Sequence, residues 1–329
     1  MTSLTSPQSS PPAVSVIMTC YNEGPYIGAA VRSVLDQTRA ELIDAIVIAD
    51  DGSAPDTVAV LKTIEGWDPR IKVIYGSGGA GLPAQRNLAL KSVTAPFFAI
   101  LDGDDLWTPD KLERQFQTIV DNDAVGLVYG GYFTFPEMDL AKAQRASVLD
   151  LSDARDLTLT YFLNDPPIIP STTIIRRDVF DACGGFDAAV RIFEDTDFYI
   201  RLSRHCRFAL VEAPVLYKRN RGASITGGRK DLMAHHALVA LKAAAEEPRL
   251  LPLVTRRVAE RARKLGNHRF LFGDSQGAAR LLRFAVQLDP FNLRAWASLI
   301  VASAFAPLVY RLLASKLKGR REAMGVVAP

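Results

Sequence analysis

The apolar run Phe97-Phe98-Ala99-Ile100-Leu101 stops abruptly at Asp102-Gly103-Asp104-Asp105. Five consecutive non-polar residues fit a strand covered on both faces, because a half-exposed strand would alternate polar and apolar positions. A strand of that kind needs helices on each side of its sheet, and its carboxyl end is where open α/β sheets place their ligands. The three carboxylates need compensation. Asp102 and Asp104 alternate around a conformationally free Gly103, so a divalent cation shared with a substrate phosphate is the simplest partner.

The same pattern recurs upstream. Val14-Ser15-Val16-Ile17-Met18 runs into the polar turn Thr19-Cys20-Tyr21-Asn22-Glu23-Gly24-Pro25, and a helix follows with Ile27, Ala30, Val31, Val34 and Leu35 on one face. Ala45–Ala49 ends in Asp50-Asp51-Gly52-Ser53, and Ile71–Tyr75 gives way to Gly76–Gly81 and a helix starting near Pro83 that carries Arg86 and Asn87. Strands alternating with helices predict a mostly parallel sheet with helices on both faces, its strand ends sharing one crevice. Gly76–Gly81 lacks the Lys-Ser/Thr ending of a Walker loop and reads as a flexible loop. Thr108-Pro109-Asp110 predicts a cap, a first-position proline and a first-turn acid for a helix through Val120, which leaves Asp102 and Asp104 free of capping duty.

Further on, Val125–Phe135 is apolar, an irregular stretch reaches about Asn164, and prolines punctuate a loop before a short strand at Ser171–Ile175. Gly184-Gly185-Phe186-Asp187 reads as a turn, and Glu194, Asp195 and Asp197 open an amphipathic helix; Phe208–Val211 and Val215–Lys218 read as closing strands, and Arg219–Gly228 as a basic loop. Beyond Asp231 helices take over. Gly273, Ala278, Leu282, Ala285, Pro290 and Trp296 look like a single helix pair of tetratricopeptide type, which cannot bury itself alone. The expected organisation is a disordered lead over residues 1–12, an α/β domain over 13–229 and an α-helical region over 230–329.

Composition removes several classes. An apolar content of 48% supports a sizeable core, and Cys20, Cys183 and Cys206 form no paired or metal-ligand spacing, which suits a reducing, cytoplasmic compartment. A net charge of +3, without aromatic residues interleaved among basic ones, argues against nucleic acid as a partner. Met1–Pro12 has no apolar segment and reads as a floppy lead rather than a signal peptide. Ala295–Leu313 is apolar but contains Pro307 and Arg311, and the basic flank Lys316–Arg321 follows it. That combination is read as a helix lying at an anionic lipid surface, at the inner face of a cell membrane, with a core helix as the competing reading.

In order and spacing, Ser15–Glu23, Asp50-Asp51-Gly52-Ser53, Ala84-Gln85-Arg86-Asn87, Asp102-Gly103-Asp104-Asp105 and Glu194-Asp195 resemble glycosyltransferase family 2, whose members are nucleotide-sugar-dependent and have the GT-A fold. The resemblance covers about Val14 to Thr226. It implies a mixed, mostly parallel Rossmann-like sheet and an inverting transfer of a sugar from a nucleotide-diphosphate donor, with a UDP-sugar as the first expectation. The acceptor would be a hydroxyl on a sugar or lipid-linked saccharide, as in cell-surface polysaccharide or glycolipid assembly. Thr19, Tyr21, Glu23 and Asp51 would line the nucleotide pocket, Arg86 would meet phosphate or order the pocket, Asp102 would face the ribose and Asp104 would hold Mg²⁺ or Mn²⁺. Asp195 would be the catalytic base, with Glu194 orienting it or touching the donor sugar. A histidine that helps the metal in some relatives is replaced here by Arg219, Asn220 and Arg221. Taken alone, Asp50–Ser53 is ordinary turn chemistry and acids at a helix start are stabilised by the backbone dipole. Two other functions stay open from the residues: a sugar-1-phosphate nucleotidyltransferase, whose basic glycine-rich loop Thr19–Pro25 does not supply, and an inactive nucleotide-sugar-binding or scaffold protein.

Overall fold

The computed structural model describes residues 13–136, 138–221 and 232–305. The chain divides into two compact units. Unit 1 comprises the chain up to Thr134 with Ala143–Leu157 and Pro166–Arg219; unit 2 comprises Phe135–Lys142, Thr158–Asp165 and the chain from Asn220 onward.

Unit 1 begins with β1 (Val14–Cys20), α1 (Gly24–Leu35), β2 (Ile43–Asp50), α2 (Pro55–Glu65), β3 (Ile71–Tyr75), α3 (Leu82–Lys91) and β4 (Phe97–Asp102). It continues through β5 (Leu106–Trp107), α4 (Lys111–Val120), β6 (Val125–Pro136) and β7 (Gln144–Arg145). After α5 (Leu157–Asn164) come β8 (Ile174–Arg176), α6 (Arg177–Ala182), α7 (Glu194–Leu202) and β9 (Arg207–Asn220). The sheet order is β3-β2-β1-β4-β8-β6-β9-β5, with β7 paired to β6. The first four strands are parallel; beyond β4 the pairing with β8 and onward is antiparallel.

Register puts the strand ends level. Thr19 lies opposite Asp102, Cys20 opposite Asp50, and Asp50 opposite Tyr75. The parallel strands therefore deliver their polar termini to one edge of the sheet. Phe98–Leu101 are at most 1% exposed, as a strand covered on both faces requires, and α1 covers one face with Ile27, Ala30, Val31 and Val34.

Several local expectations change. Helix α4 starts at Lys111 with Asp110 as its N-cap and no side-chain capping bond; the Thr108 hydroxyl instead donates to the Asp110 carboxylate at 2.9 Å. The two closing strands are one, β9, and the stretch read as irregular before Asn164 contains α5. Local propensity could not see either, because each is set by what packs on it.

Unit 2 holds most of α5 with α8 (Leu232–Glu246), α9 (Val254–Leu271), α10 (Ser275–Leu288) and α11 (Leu293–Ala304). Its small core joins Phe270, Ala278, Leu282, Leu299 and Ala302, and beside them Ala262, Ala285, Val286 and Ala295. Gly266 lets α9 approach α10 closely: a Cβ there would sit 2.8 Å from Leu282 Cγ. Asp274 caps α10 by accepting from Gly277 N at 2.7 Å, and Asn292 caps α11 by accepting from Ala295 N at 3.0 Å. No helix of the described residues is long and apolar enough to cross a membrane. The lead at 1–12, most of the basic loop after Arg219, and the end of the apolar tail with Lys316–Arg321 lie outside the described residues.

Candidate active site

Helix α3 organises the crevice through three consecutive side chains. Gln85 Nε2 donates to Asp51 Oδ1 at 2.9 Å; Arg86 donates to Asp102 Oδ1 at 2.8 Å and to Glu194 Oε1 at 2.9 Å; Asn87 Nδ2 donates to Phe186 O at 2.7 Å. Asn87 Oδ1 also accepts from Phe186 N at 3.1 Å, so the turn ahead of α7 is held from both sides. One turn of helix thus fastens the loop after β2, the end of β4 and the start of α7. Arg86 is 1% exposed and lies over the Phe186 ring, 5.4 Å from its centroid. Burial by itself disfavours its charge, but Asp102 and Glu194 outweigh that and hold the guanidinium above its ordinary value. A buried Arg must be paired on this scale or its desolvation is uncompensated.

The loops at the strand ends are tied to one another. Asn22, at φ +56°, accepts from Ala54 N through Oδ1 at 2.8 Å, and its own N–H donates to Ser53 Oγ at 2.8 Å. Asp51 accepts from Ala80 N at 3.0 Å and Gly81 N at 2.9 Å, so the glycine stretch expected to be a flexible loop is clasped by a carboxylate. Gly52 is required there: it sits at φ +74°, and a Cβ would lie 2.6 Å from the Gly78 backbone. Arg191 Nη2 donates to Gly79 O at 3.1 Å from the other side.

Around β4 the acidic cluster splits into different environments. Asp105 is buried: Oδ2 accepts from Ser171 Oγ at 2.9 Å and Oδ1 from Arg219 N at 2.9 Å, while Ser171 Oγ accepts from Asp102 N at 3.1 Å. Burial pushes the Asp105 carboxyl up to about 7, against the pull of Lys218. Asp104 and Asp102 are only half-buried, and the Asp104 carbonyl accepts from Arg219 Nε at 2.7 Å. Arg219 also lies over the Tyr26 ring at 4.9 Å. Gly103 fits against Glu23, whose Oε2 would be 2.3 Å from a Cβ placed there.

The second acid group opens α7. Phe193 precedes it at φ +63°, a left-handed conformation that costs a bulky residue about 1–3 kcal/mol and aims the following residues. Glu194 is buried; burial, and then Asp195, push its carboxyl up to about 7 against the pull of Arg86. Asp195 is half-exposed and accepts from Thr196 N at 2.7 Å. Asp197, 3% exposed, pairs with Arg201 at 2.9 Å and is tied up structurally.

Of the sequence-predicted residues, the structure joins Arg86, Asp102 and Glu194 directly, sets Thr19 and Glu23 against Gly103, and turns Asp51 toward the glycine loop. Tyr21 is 62% exposed at the end of β1. Arg86 has both terminal nitrogens committed to carboxylates, the pocket-ordering arrangement of its two expected roles. Sequence reasoning missed Ser171, Asp105 as a latch, and Arg191; the chain distances from Ser171 to Asp105 and from Arg191 to Gly79 leave no local signal. For a divalent cation the donors are hard carboxylate oxygens, with Asp102 Oδ1 already on Arg86. Among the described residues no cluster of three or more His, Cys, Asp or Glu side chains converges. The set fits Mg²⁺ or Mn²⁺ completed by phosphate oxygens and water, not a closed protein cage.

A parallel half-sheet with converging polar ends, extended by antiparallel strands, defines a nucleotide-diphospho-sugar transferase type of α/β fold. The glycosyl transferase family 2 profile matches residues 15–184, just over half of the chain, and the chain belongs to that family. The Escherichia coli protein named UDP-Glc:alpha-D-GlcNAc-diphosphoundecaprenol beta-1,3-glucosyltransferase WfgD is 38% identical over 119 residues, 36% of this chain and 45% of that protein. The chain spans about half the length of the curated relatives it matches, 45% and 56% for two of them. Among solved structures, S. aureus TarS 1-349 in complex with UDP-GlcNAc superposes with a TM-score of 0.60 at 17% identity, over 91% of this chain and 92% of that one. The mannosyltransferase PcManGT from Pyrobaculum calidifontis, in complex with GDP-Man and Mn²⁺, gives 0.55 at 18% identity, over 96% and 86%. At these identities the two structures bear on the fold, which they share with this chain.

Proposed function

We propose that the crevice transfers a sugar, with inversion, from a nucleotide-diphosphate donor to an acceptor hydroxyl. The observation that carries this reading is Arg86, which ties the β4 carboxylate Asp102 to Glu194, the neighbour of Asp195 and far along the chain from Asp102. Thr19, Tyr21, Glu23 and Asp51 bind the nucleotide, Asp102 faces the ribose, and Asp104 holds the divalent cation. When bound, that cation supplies positive charge against the diphosphate as it departs. Asp195 takes the proton of the acceptor hydroxyl as its oxygen bonds to the anomeric carbon and the bond from that carbon to the diphosphate breaks. Its partial exposure suits a group that must meet an incoming acceptor. Glu194, held by Arg86, orients Asp195 or contacts the donor sugar.

The donor is a UDP-sugar and the acceptor a lipid-linked saccharide, a reading supported by the names of the relatives and neighbours that bind UDP-GlcNAc or act on a diphosphoundecaprenol. The protein works in the cytoplasm and meets the lipid peripherally through the C-terminal helices, where Trp296, Ile300 and Phe305 are exposed; flotation with anionic vesicles checks that contact. The transfer itself is tested with Asp195→Asn. Turnover should vanish while Mn²⁺-dependent UDP binding persists, and unchanged turnover would remove Asp195 as the base.

A further inference from the structure

Helix α4 buries a lysine that the proposed transfer does not use. Lys111 is 0% exposed, and no carboxylate pairs with it among the described residues. Its amine donates instead to three neutral oxygens, Gln115 Oε1, Thr172 O at 3.4 Å and Thr173 O at 3.3 Å, and lies 4.8 Å from the centroid of the Trp107 ring. Burial holds that amine well below the ordinary lysine range. An amine taken out of water without an acid beside it costs stability that an apolar side chain of similar length would not. Filling the core does not explain such a residue, so its reason lies in what it holds in place.

What it holds is a single turn. Pro170–Thr172 forms a 3₁₀ turn that ends at Thr173. Three successive carbonyls of this segment are taken by β5 and α4: Ser171 O accepts from Trp107 Nε1 at 2.9 Å, Thr172 O from Gln115 Nε2 at 2.8 Å and from Lys111, and Thr173 O from Lys111. Both threonine hydroxyls are spent inside the turn, on Ile169 O at 2.7 Å and Pro170 O at 2.8 Å. The remaining hydroxyl, Ser171 Oγ, meets the acid loop. It accepts from Asp102 N at 3.1 Å and donates to Asp105 Oδ2 at 2.9 Å, so it grips the loop on either side of Asp104.

We propose that Lys111 is a positioning residue for donor binding, acting through the Ser171 turn to fix the backbone that carries Asp102 and Asp104. The proposal rests on the reading of those two acids as the ribose and cation contacts of the transfer. A hard divalent cation tolerates little misplacement of its oxygen ligands, so a turn freed to rotate would move the grip of Ser171 and loosen the site without unfolding the sheet.

The full chain and its Lys111→Met variant are compared at a temperature where both are folded, by hydrogen exchange of the free protein and by calorimetry with UDP and Mn²⁺. Exchange at the Asp102 and Asp105 amides should quicken about tenfold in the variant while Ile17 in β1 and Ile48 in β2 keep their protection. The Mn²⁺-dependent affinity for UDP should fall about tenfold or more. In a Ser171→Ala background Lys111→Met should have little further effect on that affinity, because the link it acts through is already cut. Should Lys111→Met fail to fold, Gln115→Met, which removes the other donor to Thr172 O, carries the same expectations. The proposal is overturned if loop exchange and UDP affinity are unchanged, if protection falls equally throughout the sheet, or if the losses from Lys111→Met and Ser171→Ala simply add. A wild-type protein that shows no UDP binding would overturn the transfer reading instead, and the exchange of the free protein would still decide whether Lys111 holds the acid loop.

Discussion

At the scale of single residues, Arg86 decides the electrostatics of the crevice. Removing its charge leaves Asp102 and Glu194 facing each other with nothing between them, so Arg86→Met should destabilise the protein by about 3–5 kcal/mol, read from denaturant unfolding. Adding Glu194→Gln should recover part of that loss, because the remaining buried carboxylate is gone. Glu194 also carries a signature in pH. Its carboxyl rises from 4.5 toward about 7 on folding, so the protonated form is favoured in the native state. The stability it contributes is fully present below about 4.5 and is lost as pH climbs through about 7. In Glu194→Gln that titration is absent, so the stability of the variant relative to the wild type should grow across this window, by up to about 1.4 kcal/mol per pH unit. Parallel curves for the two proteins would remove the assigned shift.

At the scale of elements, α3 works as a clasp and the strand-end loops as its cargo. Gln85 and Asp51 hold the glycine loop, and Gln85→Ala should loosen it, weakening UDP binding while leaving the melting temperature nearly unchanged. Gly103 has a different constraint. A methyl there would meet Glu23 Oε2 at 2.3 Å and Thr19 O at 3.0 Å, so Gly103→Ala should cost about 1–3 kcal/mol in stability and reduce nucleotide binding. The turn Gly184–Asp187 and the tetrad Ala84–Asn87 were both visible in the sequence. Their bond, Asn87 to Phe186, was not, because nothing local in either segment names a partner 99 residues away. The helix boundary at Lys111 was misplaced for a related reason: Thr108 satisfies the capping pattern, yet its hydroxyl has a nearer acceptor in Asp110.

At the scale of the whole molecule, the two units invite separate readouts. With UDP and Mn²⁺ in excess, hydrogen-exchange protection should rise at Thr19–Asn22, Asp50–Ser53 and Asp102–Asp105, where strand ends meet. At a hundred times Kd the ligand should add about 2.7 kcal/mol of stability, and an unmoved melting transition would contradict donor binding. The amino-acid order by itself determined the alternation of apolar runs and helical faces, and with it the parallel β1–β4 core and the carboxylates at its edge. Periodicity and chain punctuation are local properties, so they survive reading without coordinates. Only the tertiary structure decided which acids share a charge and which are latches. Asp102 and Glu194 meet on one arginine, while Asp105 turns inward to Ser171 and Arg219. Those outcomes depend on desolvation and on partners far along the chain, and both exist only once the sheet is assembled.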